Sequence, residues 1–151
     1  MNSDSTPITS PLTVRIVQEG VARDEIPATL DYDPTDPYAV TISFHVGLDR
    51  NAGDTVSWTI GRQLLRDGLA GLAGDADVQV WPGNEAEADR AEKLALYLSL
   101  SSNAGSAMFR MMRRDIASFL RHTDCIVAPG TESAHLDLDA ELALLTQSSQ
   151  S

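Results

Sequence analysis

The residues in this chain that could carry nucleophilic chemistry centre on its single cysteine. Cys125 has His122 three residues before it and Asp124 beside it. A catalytic thiol requires a base within hydrogen-bond reach, and closeness along the chain does not supply that geometry. We therefore expect Cys125 to be a small, partly buried thiol near the end of a helix, and we predict no catalytic residue.

Metal-binding side chains are also sparse. A zinc site draws several Cys and His from short spacings, whereas this chain has one Cys and three scattered histidines, His45, His122 and His135. We expect these histidines at the surface. Asp31, Asp33 and Asp36 resemble the start of a calcium loop, yet the sixth position lacks the required Gly and the twelfth is Ile42 rather than Glu. We predict that these aspartates form turns and that the chain holds no metal.

The motifs that bind phosphates or expose a nucleophilic serine do not occur in the sequence. It contains neither a dinucleotide-binding glycine pattern, nor a P-loop, nor a Gly-x-Ser-x-Gly elbow. We therefore predict no cofactor. An enzyme of unrecognised type would need a polar pocket that holds two converging titratable groups.

The charge balance disfavours two classes of partner. The chain has 11 basic and 22 acidic residues, a net charge of −11 and a pI near 4.4. Binding to nucleic acids or anionic membranes draws on basic residues, so both partners are disfavoured. No apolar run approaches the roughly 20 residues needed to cross a bilayer. The N-terminus lacks a signal-peptide pattern, so we expect the chain to act in the cytoplasm.

One basic, methionine-rich stretch remains as a candidate contact surface. In the segment 107–112, alternation places Phe109 and Met111 on one strand face and the intervening residues on the other. A strand that is apolar on both faces is covered twice, by its own core and by a helix or a second subunit. The candidate subunit or partner contacts are Met108, Arg110, Met112 and Arg114. These arginines could instead touch phosphates, but no aromatic residues are interleaved with them as stacking platforms.

The elements that must position these residues are predicted mainly by period-two alternation. Every even position from Tyr38 to Val46 is apolar, and we expect Tyr38 and Val40 to face the core. Strands with one wet face belong to antiparallel sheets, because parallel sheets are buried on both sides. The same reasoning predicts about seven strands, at 12–16, 28–32, 38–46, 55–60, 78–81, 93–100 and 107–112.

Helical spacing predicts three helices among these strands. The first runs from near Gly61 to around Gly71, with a stripe made of Leu64, Leu65, Leu69 and Leu72. The second carries Ile116, Phe119, Leu120 and Thr123 on one face and ends before Pro129 and Gly130. The third begins near Asp137, where acidic residues complement a helix N-terminus.

This order of strands and helices predicts an α+β fold in one domain. Residues 11–146 form that domain, residues 1–10 a flexible N-terminal tail and residues 147–151 a flexible C-terminal tail. The acidic stretch 83–90 is expected to be an exposed hairpin loop.

Six motifs in order along residues 27–145 resemble the SsgA-like family. They are Asp36-Pro37-Tyr38-Ala39-Val40; Trp58 with Arg62-x-Leu64-Leu65-x-x-Gly68; Asp77-Val78-Gln79-Val80-Trp81-Pro82; Ser101-Ser102-x-x-Gly105-x-Ala107; Phe119-Leu120-x-x-Thr123-Asp124 before Pro129-Gly130-Thr131-Glu132; and Asp137-Leu138-Asp139-x-Glu141-Leu142. Two features depart from the pattern, the acidic loop 83–92 and Cys125-Ile126.

The resemblance implies a regulator of sporulation-specific cell division in actinobacteria. Such proteins position the tubulin-like division protein FtsZ, directly or through a paralogous SsgA-like protein, or the machinery that remodels septal peptidoglycan. It implies recruitment to division septa and a homotrimer. The implied fold is a strongly curved, barrel-like antiparallel sheet with packed helices, similar to the whirly and mitochondrial guide-RNA-binding proteins. That likeness suggests an alternative, a single-stranded nucleic-acid-binding module, which the acidic charge disfavours.

Overall fold

The computed structural model describes residues 6–46, 55–75, 77–84, 86 and 89–134. His135, the helix predicted from Asp137 and the predicted C-terminal tail lie outside the described residues. The elements are β1 (Ile8–Gln18), β2 (Val21–Tyr32), β3 (Ala39–His45), β4 (Thr55–Gly61), α1 (Arg62–Gly68), β5 (Ala73–Gly74), β6 (Val78–Pro82), α2 (Arg90–Lys93), β7 (Ala95–Ser102), β8 (Gly105–Met112) and α3 (Arg113–Ile126).

The strands form one antiparallel sheet in the order β4-β3-β2-β1-β8-β7-β6-β5. The sheet is strongly curled into a half-barrel. Phe44 of β3 and Phe109 of β8 stack with their ring centroids 4.2 Å apart, although β2 and β1 lie between their strands. Neighbouring strands are about 4.8 Å apart, so a flat sheet would hold these rings roughly 14 Å apart. The predicted curved antiparallel sheet is therefore confirmed.

The concave side of the half-barrel holds the core. Alternate residues of each long strand point inward, as the period-two pattern predicts; in β3 these are Val40, Ile42 and Phe44. Helix α3 covers part of this side with one apolar face. Its buried residues are Ile116, Phe119, Leu120 and Thr123, which is the set that the helical spacing predicts.

Helix α1 packs against the short strands β5 and β6. It can approach β6 closely because Gly68 has no side chain. A Cβ atom at Gly68 would lie 2.2 Å from Cγ1 of Val80, far inside van der Waals contact. Gly68 therefore sets the distance between α1 and the sheet.

Several element boundaries differ from the expectations. Strand β1 begins at Ile8, so residues 8–10 belong to the sheet rather than to the expected tail. The eighth strand is β5, which is only two residues long and has no alternation to reveal it. Helix α1 ends at Gly68, and Leu72 beyond it is 71% exposed.

Further apolar residues of the predicted pattern lie at the surface, among them Val46 just after β3 and Val56 near the start of β4. Tyr38 is 48% exposed because it lies in the turn before β3, so only Val40 of that pair faces the core. Leu94 is 42% exposed because the short helix α2 occupies the start of the strand predicted at residue 93.

Candidate functional site

The guanidinium of Arg62 makes four hydrogen bonds in the interior of the fold. Arg62 is the first residue of α1, and its side chain is fully buried. Nη2 donates to Glu132 Oε2 at 2.7 Å, and Nη1 donates to the Val127 carbonyl oxygen at 2.7 Å. Nη1 also lies 3.3 Å from Thr123 Oγ1 and 3.4 Å from Asp124 Oδ1. Only Nε lacks an acceptor within the described chain.

The other side of Arg62 contacts the segment that leads into β3. Its guanidinium carbon lies 5.3 Å from the ring centroid of Tyr32, a cation–π distance. The Tyr32 hydroxyl donates to the carbonyl oxygen of Pro37 at 3.0 Å. The backbone N–H of Arg62 donates to the carbonyl oxygen of Tyr38 at 2.7 Å. Arg62 therefore ties the 36–40 motif to the end of α3.

A second arginine extends this cluster toward the surface. Arg66, one turn after Arg62, holds Asp124 with two hydrogen bonds of 2.7 and 3.0 Å. A bidentate arginine–carboxylate pair fixes orientation as well as distance. The carboxylate of Glu132 is also held at both oxygens. Oε2 accepts a hydrogen bond from Arg62, and Oε1 accepts one from the Gly130 N–H at 2.9 Å.

Burial and charge shift the titration of the groups in this cluster. The hydrogen bond from Arg62 holds the pKa of Glu132 below its ordinary value. Burial raises the pKa of Tyr32 to about 12, although the nearby Arg62 charge opposes the rise. The hydrogen bond to Asp124 raises the pKa of Arg66. At neutral pH Glu132 is therefore a carboxylate, Arg66 a cation and Tyr32 a neutral phenol.

The Arg62 cluster unites residues of three of the sequence motifs. Arg62 and Glu132 bind each other in the interior, whereas the paired side chains of Arg66 and Asp124 are about one-quarter exposed. Sequence reasoning missed this cluster. One signal was available: Arg62 lies three and seven residues before Leu65 and Leu69, on the apolar side of α1. A charged residue at such a position is expected to have a buried partner.

The candidate contact residues lie on two different surfaces. Met108, Arg110 and Met112 are half-buried on the outer face of β8, while Phe109 and Met111 are buried in the core, as the alternation predicts. The fourth residue, Arg114, is exposed in the first turn of α3.

Aromatic residues of neighbouring strands lie beside Arg110, although none is interleaved with the candidate arginines in the sequence. Arg110 pairs across the sheet with Tyr97 of β7 and with Arg15 of β1. Trp81 of β6 stacks on Tyr97, with ring centroids 5.6 Å apart. The Tyr97 hydroxyl donates to Glu92, and burial together with this bond raises the pKa of Tyr97. Tyr97 and Trp81 belong to other strands, so the sequence around Arg110 could not predict that they lie beside it.

The cysteine and the two described histidines lie at the surface. Cys125 is near the end of α3 as expected, but its side chain is exposed rather than partly buried. His45 and His122 are exposed, and His45 Nδ1 lies 3.2 Å from Thr55 Oγ1. Within the described ranges, no three His, Cys, Asp or Glu residues converge as metal ligands. Among the helices that the structure describes, none is long and apolar enough to cross a bilayer.

Comparison with known families assigns the chain. The family model for the Streptomyces sporulation and cell division protein SsgA matches residues 26–132. The chain belongs to the SsgA family. The matched region ends at Glu132, the buried partner of Arg62, so the SsgA-family region contains the whole Arg62 cluster.

Individual SsgA-family proteins resemble the chain over most of its length. The sporulation-specific cell division protein SsgB of Frankia casuarinae is 47% identical over 138 residues, covering 91% of this chain and 90% of that protein. SsgB of Streptomyces coelicolor is 39% identical, covering 92% and 95%. The family is known for cell division and not as an enzyme class.

Two solved SsgA-family structures share the fold. The SsgA-like sporulation-specific cell division protein of Thermobifida fusca matches with a TM-score of 0.78 and 34% identity, over 95% of this chain and 98% of that one. The structure reported in a study of SsgB mutations and longitudinal cell division during sporulation of Streptomyces coelicolor matches with a TM-score of 0.74 and 36% identity. The match covers 89% of this chain and 99% of the chain in that structure.

Proposed function

We propose that this chain is a regulator of sporulation-specific cell division. The observation that carries the proposal is its 47% identity, over nine-tenths of both chains, to a protein named for that role. The region that matches the family model, residues 26–132, includes the Arg62 cluster and strands β3 to β8. A role in sporulation septation accounts for both the similarity to SsgB and the absence of catalytic motifs from the sequence.

The regulator acts through protein contacts rather than through a reaction. The charged groups that the motifs bring together bind each other, Arg62 with Glu132 in the interior and Arg66 with Asp124 nearer the surface. Its partners are cell-division proteins, namely FtsZ directly or through a paralogous SsgA-like protein, or the septal peptidoglycan machinery. It works in the cytoplasm and is recruited to division septa.

The working unit is a homotrimer of a single domain, which begins with β1 at Ile8 rather than at the expected residue 11. The outer face of β8, with Met108, Arg110 and Met112 half-buried on it, is a candidate contact surface, and exposed Arg114 is a candidate beside it. Sedimentation equilibrium of the full chain tests the trimer. A mass of three chains supports it, and a monomer at micromolar concentration contradicts it.

Co-sedimentation with polymers of FtsZ from the same organism tests the partner, with and without the paralogous SsgA-like protein. We expect the chain to enter the pellet in at least one of the two mixtures and to stay in the supernatant without polymers. If it pellets in neither mixture, and FtsZ polymers are verified by light scattering, the proposed contact with FtsZ is wrong.

The alternative is a module that binds single-stranded nucleic acid. One observation favours it: Trp81, Tyr97 and Arg110 lie side by side on the outer face of the sheet, where aromatic and basic groups could serve bases and phosphates. The net charge of −11 opposes it. A gel-shift series with increasing salt decides, since binding through phosphates weakens steeply with salt. No shift at low salt ends this alternative.

A further inference from the structure

The two central strands of the sheet diverge and leave an open cleft. Strand β1 pairs with β8 only at Arg15–Arg110, Ile16–Phe109 and Val17–Met108. Towards its N-terminus, β1 continues to Ile8 and pairs there with β2 alone. The cleft beside this half of β1 has a volume of about 810 Å³, within the range of ligand pockets.

The cleft is lined largely by apolar side chains. These side chains belong to β1, β2, β8 and the residue after α2. They are Pro11, Leu12, Pro27, Met111, Met112 and Leu94. Leu94 is 42% exposed, and Pro11 and Pro27 are exposed as well. Such a lining favours a partner with apolar side chains over a purely polar one.

Arginines give the cleft a charge opposite to that of the chain. Arg15, Arg90 and Arg110 line it against two carboxylates, those of Glu25 and Asp115. Arg15 is paired with Glu25 at 2.8 Å. Arg90 and Arg110 form no ion pair with any described residue. The side chain of Arg110 nevertheless contacts Tyr97, and its charge interacts with the Glu92 carboxylate. In a chain of net charge −11, this region is locally basic and attracts an acidic partner.

We propose that the cleft binds an extended, acidic segment of a partner protein, which lies along the N-terminal half of β1. The segment places apolar side chains at alternate positions against the lining and carboxylates against Arg90 and Arg110. A strand edge without a neighbouring strand favours an extended partner, because the partner's backbone can pair with the free N–H and C=O groups. Pro11 lacks an N–H, so its carbonyl is the only backbone group it offers.

This inference rests on the proposed function, because it assigns the surface by which the regulator holds a protein partner. The cleft includes Arg110 and Met112, two of the candidate contacts, but not Arg114. A nucleic acid would use the arginines and leave the apolar lining unused. An extended peptide uses both.

Selection of a random dodecapeptide library on the immobilised full chain tests the inference. We expect enriched peptides to combine acidic residues with alternate apolar ones, and fluorescence anisotropy to report their binding. Arg90→Glu and Arg110→Glu should each weaken binding at least about tenfold, because each replaces a charge-assisted contact with repulsion. Arg121→Glu, exposed on α3 away from the cleft, is the matched control and should bind as the original chain does.

Other occupants are distinguished in the same assay. A synthetic peptide of residues 135–151 is included, because Leu136, Asp137, Leu138 and Asp139 carry the same alternation. If it binds more tightly than every selected peptide, the occupant is this chain's own end and the proposal is overturned. Loss of self-association in Arg90→Glu would assign the cleft to a second copy, and binding of oligo(dT) or anionic vesicles in place of peptides would also overturn it.

The chain variants also separate this inference from the proposed function. Circular dichroism first verifies that Arg90→Glu and Arg110→Glu fold. In sporulating cells we expect these variants, but not Arg121→Glu, to reduce the number of sporulation septa. If folded cleft variants form normal septa while cells lacking the protein do not, the cleft inference fails and the function stands. If cells lacking the protein form normal septa, the proposed function itself fails.

Discussion

The guanidinium of Arg62 and the carboxylate of Glu132 lie 2.7 Å apart in the interior, although 70 residues separate them along the chain. Arg62 begins α1, and Glu132 follows the turn after α3. The bond between them joins α1, which packs against β6, to the segment that follows α3. Their relationship explains why motifs that are distant in sequence belong to one structural unit.

Breaking the Arg62–Glu132 pair should destabilise the fold. Glu132→Gln keeps the shape but removes the charge, and we expect it to lower the free energy of unfolding by about 2 to 3 kcal/mol. Arg62→Met leaves Glu132 buried without its partner, and we expect a loss of about 3 to 5 kcal/mol. Urea denaturation measures both effects.

The exposed pair of Arg15 and Glu25 provides the matched control. Its side chains are 42% and 60% exposed, so Arg15→Gln should cost less than about 1 kcal/mol. If Glu132→Gln costs no more than Arg15→Gln, the buried cluster does not stabilise the fold as we describe.

The same pair should make stability depend on pH in the acid range. The pKa of Glu132 is lower in the folded chain than its ordinary value near 4.5. Its contribution is therefore fully present above that ordinary value and is lost as the pH falls through the folded value. The free energy of unfolding should fall less steeply in Glu132→Gln than in the original chain below about pH 5. If the free energy of unfolding falls equally steeply in the two proteins at acid pH, the lowered pKa of Glu132 is contradicted.

Tyr32 should ionise late in an alkaline titration. Its pKa is raised to about 12 by burial, so the folded chain keeps the neutral phenol that donates to Pro37. The stability that comes from this neutral form is lost as the pH rises through the folded value. The ultraviolet absorbance of tyrosinate should show a step near pH 12 that is missing in Tyr32→Phe. If the step persists in Tyr32→Phe, it arises from another tyrosine and the raised pKa of Tyr32 is contradicted.

Gly68 should tolerate no side chain. The Cβ atom of Gly68→Ala would meet Val80, a fully buried residue, so α1 must move away from β6. We expect a loss of about 1 to 3 kcal/mol in thermal or urea unfolding. Gly71→Ala is the control, because its added Cβ has no atom within 4 Å. Adding Val80→Ala removes Cγ1 but leaves Cβ of residue 80 at 2.6 Å from the added Cβ, so we expect it to relieve the clash only in part. A loss in Gly68→Ala no larger than in Gly71→Ala would refute this packing.

The sheet was largely predictable because half-burial imposes a period of two on every long strand. Val40, Ile42 and Phe44 show that pattern and are buried where it places them. The pattern fails where a turn or short helix interrupts it. Tyr38 continues the alternation in sequence yet lies in a turn, and Leu94 follows α2 and faces outward.

The Arg62 cluster could not be predicted in full, because its partners meet only after the chain folds. Thr123, Asp124 and Glu132 come from one end of α3 and the turn beyond, more than 60 residues from Arg62. Their motifs were visible, but their contacts depend on how α1 and α3 dock on the sheet. The cleft beside β1 was hidden for a similar reason, since it results from the early end of the β1–β8 ladder.

The central claim is that the chain regulates sporulation-specific cell division. Its most direct test is the number of sporulation septa in the source organism after deletion of the gene, counted by microscopy with a membrane stain. We predict that septa are lost and are restored by the full chain expressed from a second locus. A deletion strain that forms sporulation septa at the normal number and spacing would contradict the claim.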